Sequence, residues 1–367
     1  MSTAPPIAPP IAPAAAPPAA LLDALEGVRI SGDRLSATVG GRELTADSPG
    51  ELKTLLGTAL YETLHSGQDE SASKLPRILR DTRFEQLLGE AVPHRTVTAE
   101  AVVLPQPPGT PSDAPDLLVL RDGIRTWAPR PTVSVADPAP GTRVALAVPA
   151  ARPALSPGFF VVTGPADRGA PAELLRVYLN LTDPHAAPSA WRSVLARLGE
   201  LNVPYQAKVL SCLPLYPRRD ALVVYLQPDA WHAVPALAEL APSLPGLGTG
   251  TSHFVHRVAP GVGVAFEPAD HRPAMRGLSF GQHRAGAVAE ALLDRARYGT
   301  PLAEALTARF TEAGIDPRRP ARNLASAQLP AAVTAPVNAP VSGPAPVSGP
   351  APVTPGATGP VPAAAAA

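Results

Sequence analysis

The chain has 367 residues and a formal net charge of zero, 31 acidic side chains against 31 Lys plus Arg. That balance excludes the general nucleic-acid binders, which need a basic surplus. One cysteine, Cys212, excludes an intrachain disulfide and fits a reducing, cytoplasmic setting.

Taken in order, residues 1–20 are Pro/Ala-rich, with no basic start and an apolar run broken by Pro, so they predict a disordered tail rather than a signal peptide. Leu21 to Leu44 predicts a short helix and a hairpin turning at Gly40-Gly41. Ser48-Pro49-Gly50-Glu51 then reads as a capping box opening a helix with Leu52, Leu55, Leu56, Leu60 and Leu64 on one face. A further helix is expected near Asp81–Leu88, so residues 21–104 read as a small N-terminal helical lobe that ends in a strand near Ala99–Val103. A Pro-rich loop follows at 105–115. The remainder, 116–326, predicts an α+β catalytic domain: a mostly antiparallel or mixed sheet flanked by helices. Its first signal is the hairpin at Asp122-Gly123, between Asp116–Leu120 and Ile124–Trp127. Strands at Arg143–Val148, Phe159–Val162 and Val262–Phe266 complete it, with helices near Asp229–Leu240, from just after SFGQHR (Ser279–Arg284) to about Arg297, and at Leu302–Ala313. Residues 327–367, Pro/Ala/Val with a repeated APVSGP, predict a second disordered tail. No run of about twenty apolar residues is present, so no membrane span is expected.

The stretch Leu174–Leu226 organises the domain. In Leu174–Leu181, Arg176, Tyr178 and Asn180 alternate with Val177, Leu179 and Leu181, which puts the polar set on one face of a strand. Pro188–Leu201 has helical spacing. Tyr205–Ser211 places Gln206 and Lys208 on one face, and Ala221–Leu226 is apolar on both faces, as a central strand is. Only three lysines occur, Lys53, Lys74 and Lys208. A lysine inside a strand of an Arg-rich chain invites a chemical reason, because an amine can act as a base and a guanidinium cannot. The alternative is an ordinary surface or interface lysine.

Cationic groups gather on these segments: Arg176, Lys208 and Arg218/Arg219 on or beside the strands, and His283 and Arg284 at a helix start. Guanidinium forks match phosphate oxygens, and a helix start favours anions, so the set reads as a phosphate clamp. For any single Arg the plainer reading is a solvated or salt-bridged surface group. Other chemistries find no support. No CxxC or HExxH metal motif is present, Ser279 lacks the GxSxG elbow, and Gly246–His253 lacks GK[ST].

The segments PGFFVVTG (157–164), LRVYLNLT (175–182), VPYQAKVLS (203–211), YPRRDALVVYL (216–226), RVAPGVGVAFEP (257–268), SFGQHR (279–284) and FTEAGIDPRRPARN (310–323) resemble the HopA family of type III effectors. The likeness is to the HopA-like proteins of class V lanthipeptide and thioamide-peptide pathways, and it covers about residues 20–326. It implies a phosphoserine/phosphothreonine lyase that eliminates phosphate from a ribosomal precursor peptide, leaving dehydroalanine or dehydrobutyrine. The partners implied are the phosphorylated precursor, an aminoglycoside-phosphotransferase-like kinase and a cyclase. No cofactor, metal, nucleic acid or membrane is implied. By likeness to the OspF-type phosphothreonine lyases, the resemblance implies a Lys base, a His acid and an Arg clamp. In those lyases the Lys and His lie two residues apart on one strand. Here Leu210 holds that place, so the acid role passes to His283. The expected site is therefore Lys208 and His283 for catalysis, with Arg176, Arg218, Arg219, Arg284, Tyr178 and Asn180 for phosphate or substrate. A non-catalytic leader- or phosphopeptide-binding scaffold for the kinase, or a secreted effector, are the alternatives.

Overall fold

The computed structural model describes residues 16–68, 80–166 and 173–334. Among them are eight α-helices and three antiparallel sheets, an α+β fold. The helices are α1 (Ala19–Leu25), α2 (Pro49–Leu60), α3 (Thr82–Glu90), α4 (Ala187–Glu200), α5 (Ala233–Leu240), α6 (Phe280–Tyr298), α7 (Leu302–Glu312) and α8 (Ala331–Thr334). Strands β1 (Arg29–Ile30), β2 (Ser36–Val39) and β3 (Arg42–Thr45) form a small sheet. Strands β4 (Thr96–Val103), β5 (Asp116–Arg121), β6 (Ile124–Pro129) and β7 (Arg143–Pro149) form a second, in the order β6-β5-β4-β7. The third contains β8 (Ala151–Ser156), β9 (Phe159–Thr163), β10 (Leu175–Leu181), β11 (Tyr205–Leu210), β12 (Arg218–Leu226), β13 (His256–Ala259) and β14 (Val262–Phe266). Its order is β13-β14-β10-β12-β11-β9-β8.

This seven-stranded sheet is covered on both faces. On one, Val177, Leu179, Val209, Leu222 and Val224 pack against Trp191, Val194 and Leu195 of α4 and Val234 and Leu237 of α5. On the other, Tyr178, Val223 and Ala265 meet Leu56, Leu60 and Leu64 of the α2 region and Phe280 and Val288 of α6. The period-two pattern of β10 thus separates two cores, and its polar residues face the α2/α6 side. Because α4 carries the chain from β10 to β11 in a parallel sense, a gap one strand wide separates those two strands. β12 returns into it, antiparallel to both. Lys208 therefore does not sit beside the strand that bears Arg176: Val223 of β12 lies between, opposite both Tyr178 and Lys208.

Two expected boundaries fall elsewhere. Residues 21–66 are not a separate helical lobe, because Leu21, Leu52 and Leu56 share one core with Val288, Leu292 and Leu306 of α6 and α7. The line at 104 divides one sheet, since β4 pairs with both β5 and β7. At the other end, Val333 is buried in the main core, so the fold runs past 327. The tails expected at 1–20 and 327–367 lie outside the described residues at 1–15 and 335–367. The Ser48 cap is half a capping box. Ser48 Oγ accepts from Glu51 N, but the Glu51 carboxylate takes the Asp47 N–H instead.

Candidate active site

The polar face of β10 to β12 forms one wall of a cavity of about 660 Å³. Arg176 and Tyr178 from β10, Lys208 from β11 and Arg218 and Asp220 from β12 line it, together with Phe159, Tyr61, His65 and the 267–279 segment. Four of the eight expected site residues, Arg176, Tyr178, Lys208 and Arg218, therefore meet in one place.

Two of the cations are held by carboxylates. Arg176 donates from Nε and Nη2 to both Glu267 oxygens, each at 2.5 Å. Arg218 donates from Nε and Nη2 to Asp220 at 2.7 Å and from Nη2 to the Tyr61 hydroxyl at 2.5 Å, while Tyr61 donates to Asp220 Oδ2 at 3.1 Å. The pair is almost wholly buried, with 6% and 7% of the side chains exposed. Burial alone would raise the Asp220 carboxyl, but the Arg218 fork outweighs it and holds the group well below the usual carboxylate range. Arg218, so held through Nε and Nη2, is at the cavity wall.

Lys208 is half-buried, with Nζ 4.2 Å from the Phe159 ring centroid and 5.8 Å from that of Tyr225. The same rings carry the neighbouring guanidiniums, Arg218 over Phe159 at 5.9 Å and Arg176 over Tyr225 at 5.1 Å. The amine makes no ion pair among the described residues. It stands against aromatic faces between two compensated arginines.

His283 does not reach this cavity. It lies in the first turns of α6, capped by a Ser279–Gln282 capping box. Nε2 binds Asp270 Oδ2 at 2.9 Å, and Nδ1 accepts from Arg284 Nη1 at 2.7 Å. A guanidinium only donates, so Nδ1 is the acceptor and Nε2 carries the proton. Burial, then the Arg284 charge, push the imidazole down to about 4. Both ring nitrogens are occupied and the side chain is fully buried, so the acid role does not fall to His283. Arg284 is equally enclosed. It donates to Pro320 O, Arg322 O and Asn323 Oδ1 and tethers the 316–323 segment to α6, so it is no phosphate ligand. Burial brings it down to about 9, which leaves it charged at neutral pH. Asn180 Nδ2 donates to Gly250 O and holds the Gly246–Gly250 loop. Arg219 is not among the lining residues; it packs against Gly67 and donates to Thr63 O, at the turn that follows α2.

The imidazole that does line the cavity is His65, which the sequence reading passed over. Helix α2 runs on into a π-helical turn, Tyr61–Ser66, that ends at Gly67 in the left-handed region (φ 70°). The wider turn directs both Tyr61 and His65 inward, a common device at functional sites. His65 Nδ1 contacts Ser252 Oγ at 2.9 Å, and Nε2 lies 3.7 Å from Asp220 Oδ2. Tyr178 and Phe280 pack on the ring. Burial, opposed by Asp220 and reinforced by Arg218, pushes its pKa down to about 4. Gly281 of α6 is fixed by this packing, since a Cβ there would stand 2.2 Å from His65 Cδ2. Burial pushes the Tyr178 hydroxyl up, against the nearby Arg176 charge. Cys212 is buried, as a small apolar residue would be.

The cavity thus lies on an antiparallel sheet that helices cover on both faces, with four lining cations, Arg176, Lys208, Arg218 and Arg276, against three lining carboxylates, Asp220, Glu267 and Asp270. Residues 150–322 match the model of the HopA1 effector protein family, a segment that contains all seven strands of the large sheet. No curated protein matches. Among solved structures, an effector from Pseudomonas syringae pv. syringae strain 61 is similar at 20% identity and a TM-score of 0.35, over 45% of this chain and 62% of its own length. The chain thus spans less than two thirds of that protein. An effector from Pseudomonas syringae pv. tomato strain DC3000 is similar at 13% identity and a TM-score of 0.41, over 75% of this chain and 95% of its own. Among the described residues no helix is long and apolar enough to cross a membrane.

Proposed function

We propose that the protein is a phosphoserine/phosphothreonine lyase. It converts a kinase-phosphorylated ribosomal precursor peptide into a dehydroalanine- or dehydrobutyrine-containing one in lanthipeptide-type biosynthesis. The observation that carries this reading is the convergence of Lys208, Arg176 and Arg218 on one cavity wall, with the His65 imidazole beside them. β-Elimination needs a base for the Cα proton, cations for the phosphate and a proton for the departing oxygen. Lys208, as the free amine, takes the Cα proton and becomes an ammonium. The Cα electron pair forms the alkene, the Cβ–O bond breaks, and the oxygen leaves with its electrons. The phosphate binds as its monoanion beside the neutral His65 imidazole and keeps its proton as it leaves, so hydrogen phosphate is released and His65 is neutral throughout. Arg176 and Arg218, pre-oriented by Glu267 and Asp220, meet the phosphate with their remaining N–H groups at little ordering cost. No cofactor enters this scheme. The partners proposed are an aminoglycoside-phosphotransferase-like kinase upstream and a cyclase downstream, in the cytoplasm where ATP sustains the kinase.

The match to an effector family favours a second reading, an effector-like or scaffold protein that binds a phosphopeptide without turning it over. Mass spectrometry of a synthetic phosphothreonine peptide, incubated with the protein, separates the two. Loss of the mass of phosphoric acid supports the lyase, and binding without mass change supports the scaffold.

A further inference from the structure

The charges that line the cavity do not cancel. Arg176 is matched by Glu267, Arg218 by Asp220, and Asp270 by Arg272, which donates to it from Nε, Nη2 and the backbone. Two lining cations remain without a carboxylate among the described residues. One is Lys208, and the other is Arg276, an exposed side chain that makes no ion pair or side-chain hydrogen bond with any described residue. Arg276 stands at the mouth of the cavity on the segment after the short 3-10 turn Pro273–Met275. Gly277, in the left-handed region (φ 78°), follows it, and its neighbours Met275, Gly277 and Leu278 line the same cavity. The segment is fixed at one end by Asp270, bound to Arg272 and His283, and at the other by the Ser279 cap of α6.

We infer that Arg276 is a phosphate-binding residue, and that the cavity is matched to a phosphomonoester by Lys208 and Arg276, the two lining cations without a carboxylate among the described residues. This deepens the lyase reading and rests on it. When Lys208 serves as the free amine, Arg276 is the one unpaired lining cation left among the described residues to balance the phosphate. Its guanidinium can bind two phosphate oxygens at once. Because the side chain is exposed and makes no ion pair or side-chain hydrogen bond among the described residues, its removal is expected to change ligand binding and not folding.

The test is binding and turnover of a synthetic phosphothreonine peptide and its unphosphorylated twin by the full chain, Arg276→Ala, Arg276→Lys and, as a distant control, Arg143→Ala. Arg276→Ala weakens phosphopeptide binding at least tenfold and leaves the unphosphorylated peptide unchanged. In turnover, KM rises while kcat falls by less. Arg276→Lys recovers part of the affinity, and Arg143→Ala, on an exposed strand residue, changes nothing. If the wild-type protein prefers the phosphopeptide and Arg276→Ala keeps that preference, Arg276 is not a phosphate ligand, although the lyase can still stand. If selective binding is lost in Arg276→Ala but even the wild type releases no phosphate, the assignment of Arg276 survives and the lyase falls. If the wild type shows no preference for the phosphopeptide, both fall.

Discussion

His283→Leu separates a structural from a catalytic role for this imidazole. The substitution puts an apolar side chain of similar bulk in a fully buried position and removes both ring contacts. Arg284 Nη1 loses its acceptor at 2.7 Å inside a guanidinium site with no exposure. Asp270 loses the Nε2–H donor at 2.9 Å but keeps three donors from Arg272. A buried charged donor left unpaired costs about 2–3 kcal/mol, and a carboxylate still otherwise bound about 1 kcal/mol, so the expected loss is roughly 3–4 kcal/mol. Urea denaturation followed by circular dichroism reads it as a lower midpoint at unchanged slope. Where the variant remains folded, dehydration of a phosphothreonine peptide per folded molecule stays within a few-fold of wild type. A loss under about 1 kcal/mol together with abolished turnover would refute this reasoning and return the acid role to His283.

Other outcomes follow from the same geometry. Both His65 and His283 are pushed from the ordinary imidazole range to about 4, so the unfolded chain binds more protons than the folded one between about pH 6.5 and 4. Stability is therefore complete above that window and declines as pH falls through it, by up to about 3 kcal/mol per imidazole, which thermal melts across pH 7.5 to 4 would register. A melt that is flat over that range would contradict buried neutral imidazoles. Arg218→Ala strands the buried Asp220 charge and costs about 3–5 kcal/mol. Arg176→Ala leaves Glu267, which is 36% exposed, and costs clearly less by denaturation, while it weakens phosphopeptide binding about tenfold or more. Equal destabilisation by the two would refute the distinction. A chain ended after Ala327 lacks both Leu329 and Val333, which pack on the main core, and is less stable than one ended after Thr334 by at least the worth of one buried valine, about 1.5–3 kcal/mol. Identical melting would show that α8 adds nothing.

The strands that carry the site were legible because alternation survives where one face is polar. Arg176, Tyr178 and Lys208 could be placed on faces from spacing alone, and Asp122-Gly123 fixed a hairpin. Strand order was not legible: the Ala221–Leu226 part of β12 is apolar on both faces, and nothing in those residues says which strands flank it. β8 was missed because Pro153 interrupts it, which an edge strand tolerates and a central one does not. His65 was missed because its signal is a π-helical turn within a run that reads as ordinary helix. The Tyr61 and His65 pair at i, i+4 just before Gly67 was the available clue. His283 and Arg284 were misplaced because a charged pair after a helix cap reads as exposed, whereas the 316–323 segment folds over it.

The most direct test of the account is Lys208→Arg. The substitution keeps a cation against the Phe159 ring and a similar reach, but a guanidinium cannot accept the Cα proton. Incubated with a phosphothreonine peptide and followed by mass spectrometry, the variant is expected to bind the peptide and leave it phosphorylated, while the wild type releases phosphate and yields the dehydrated product. Dehydration by Lys208→Arg at near wild-type rate would contradict the central claim that this amine is the base.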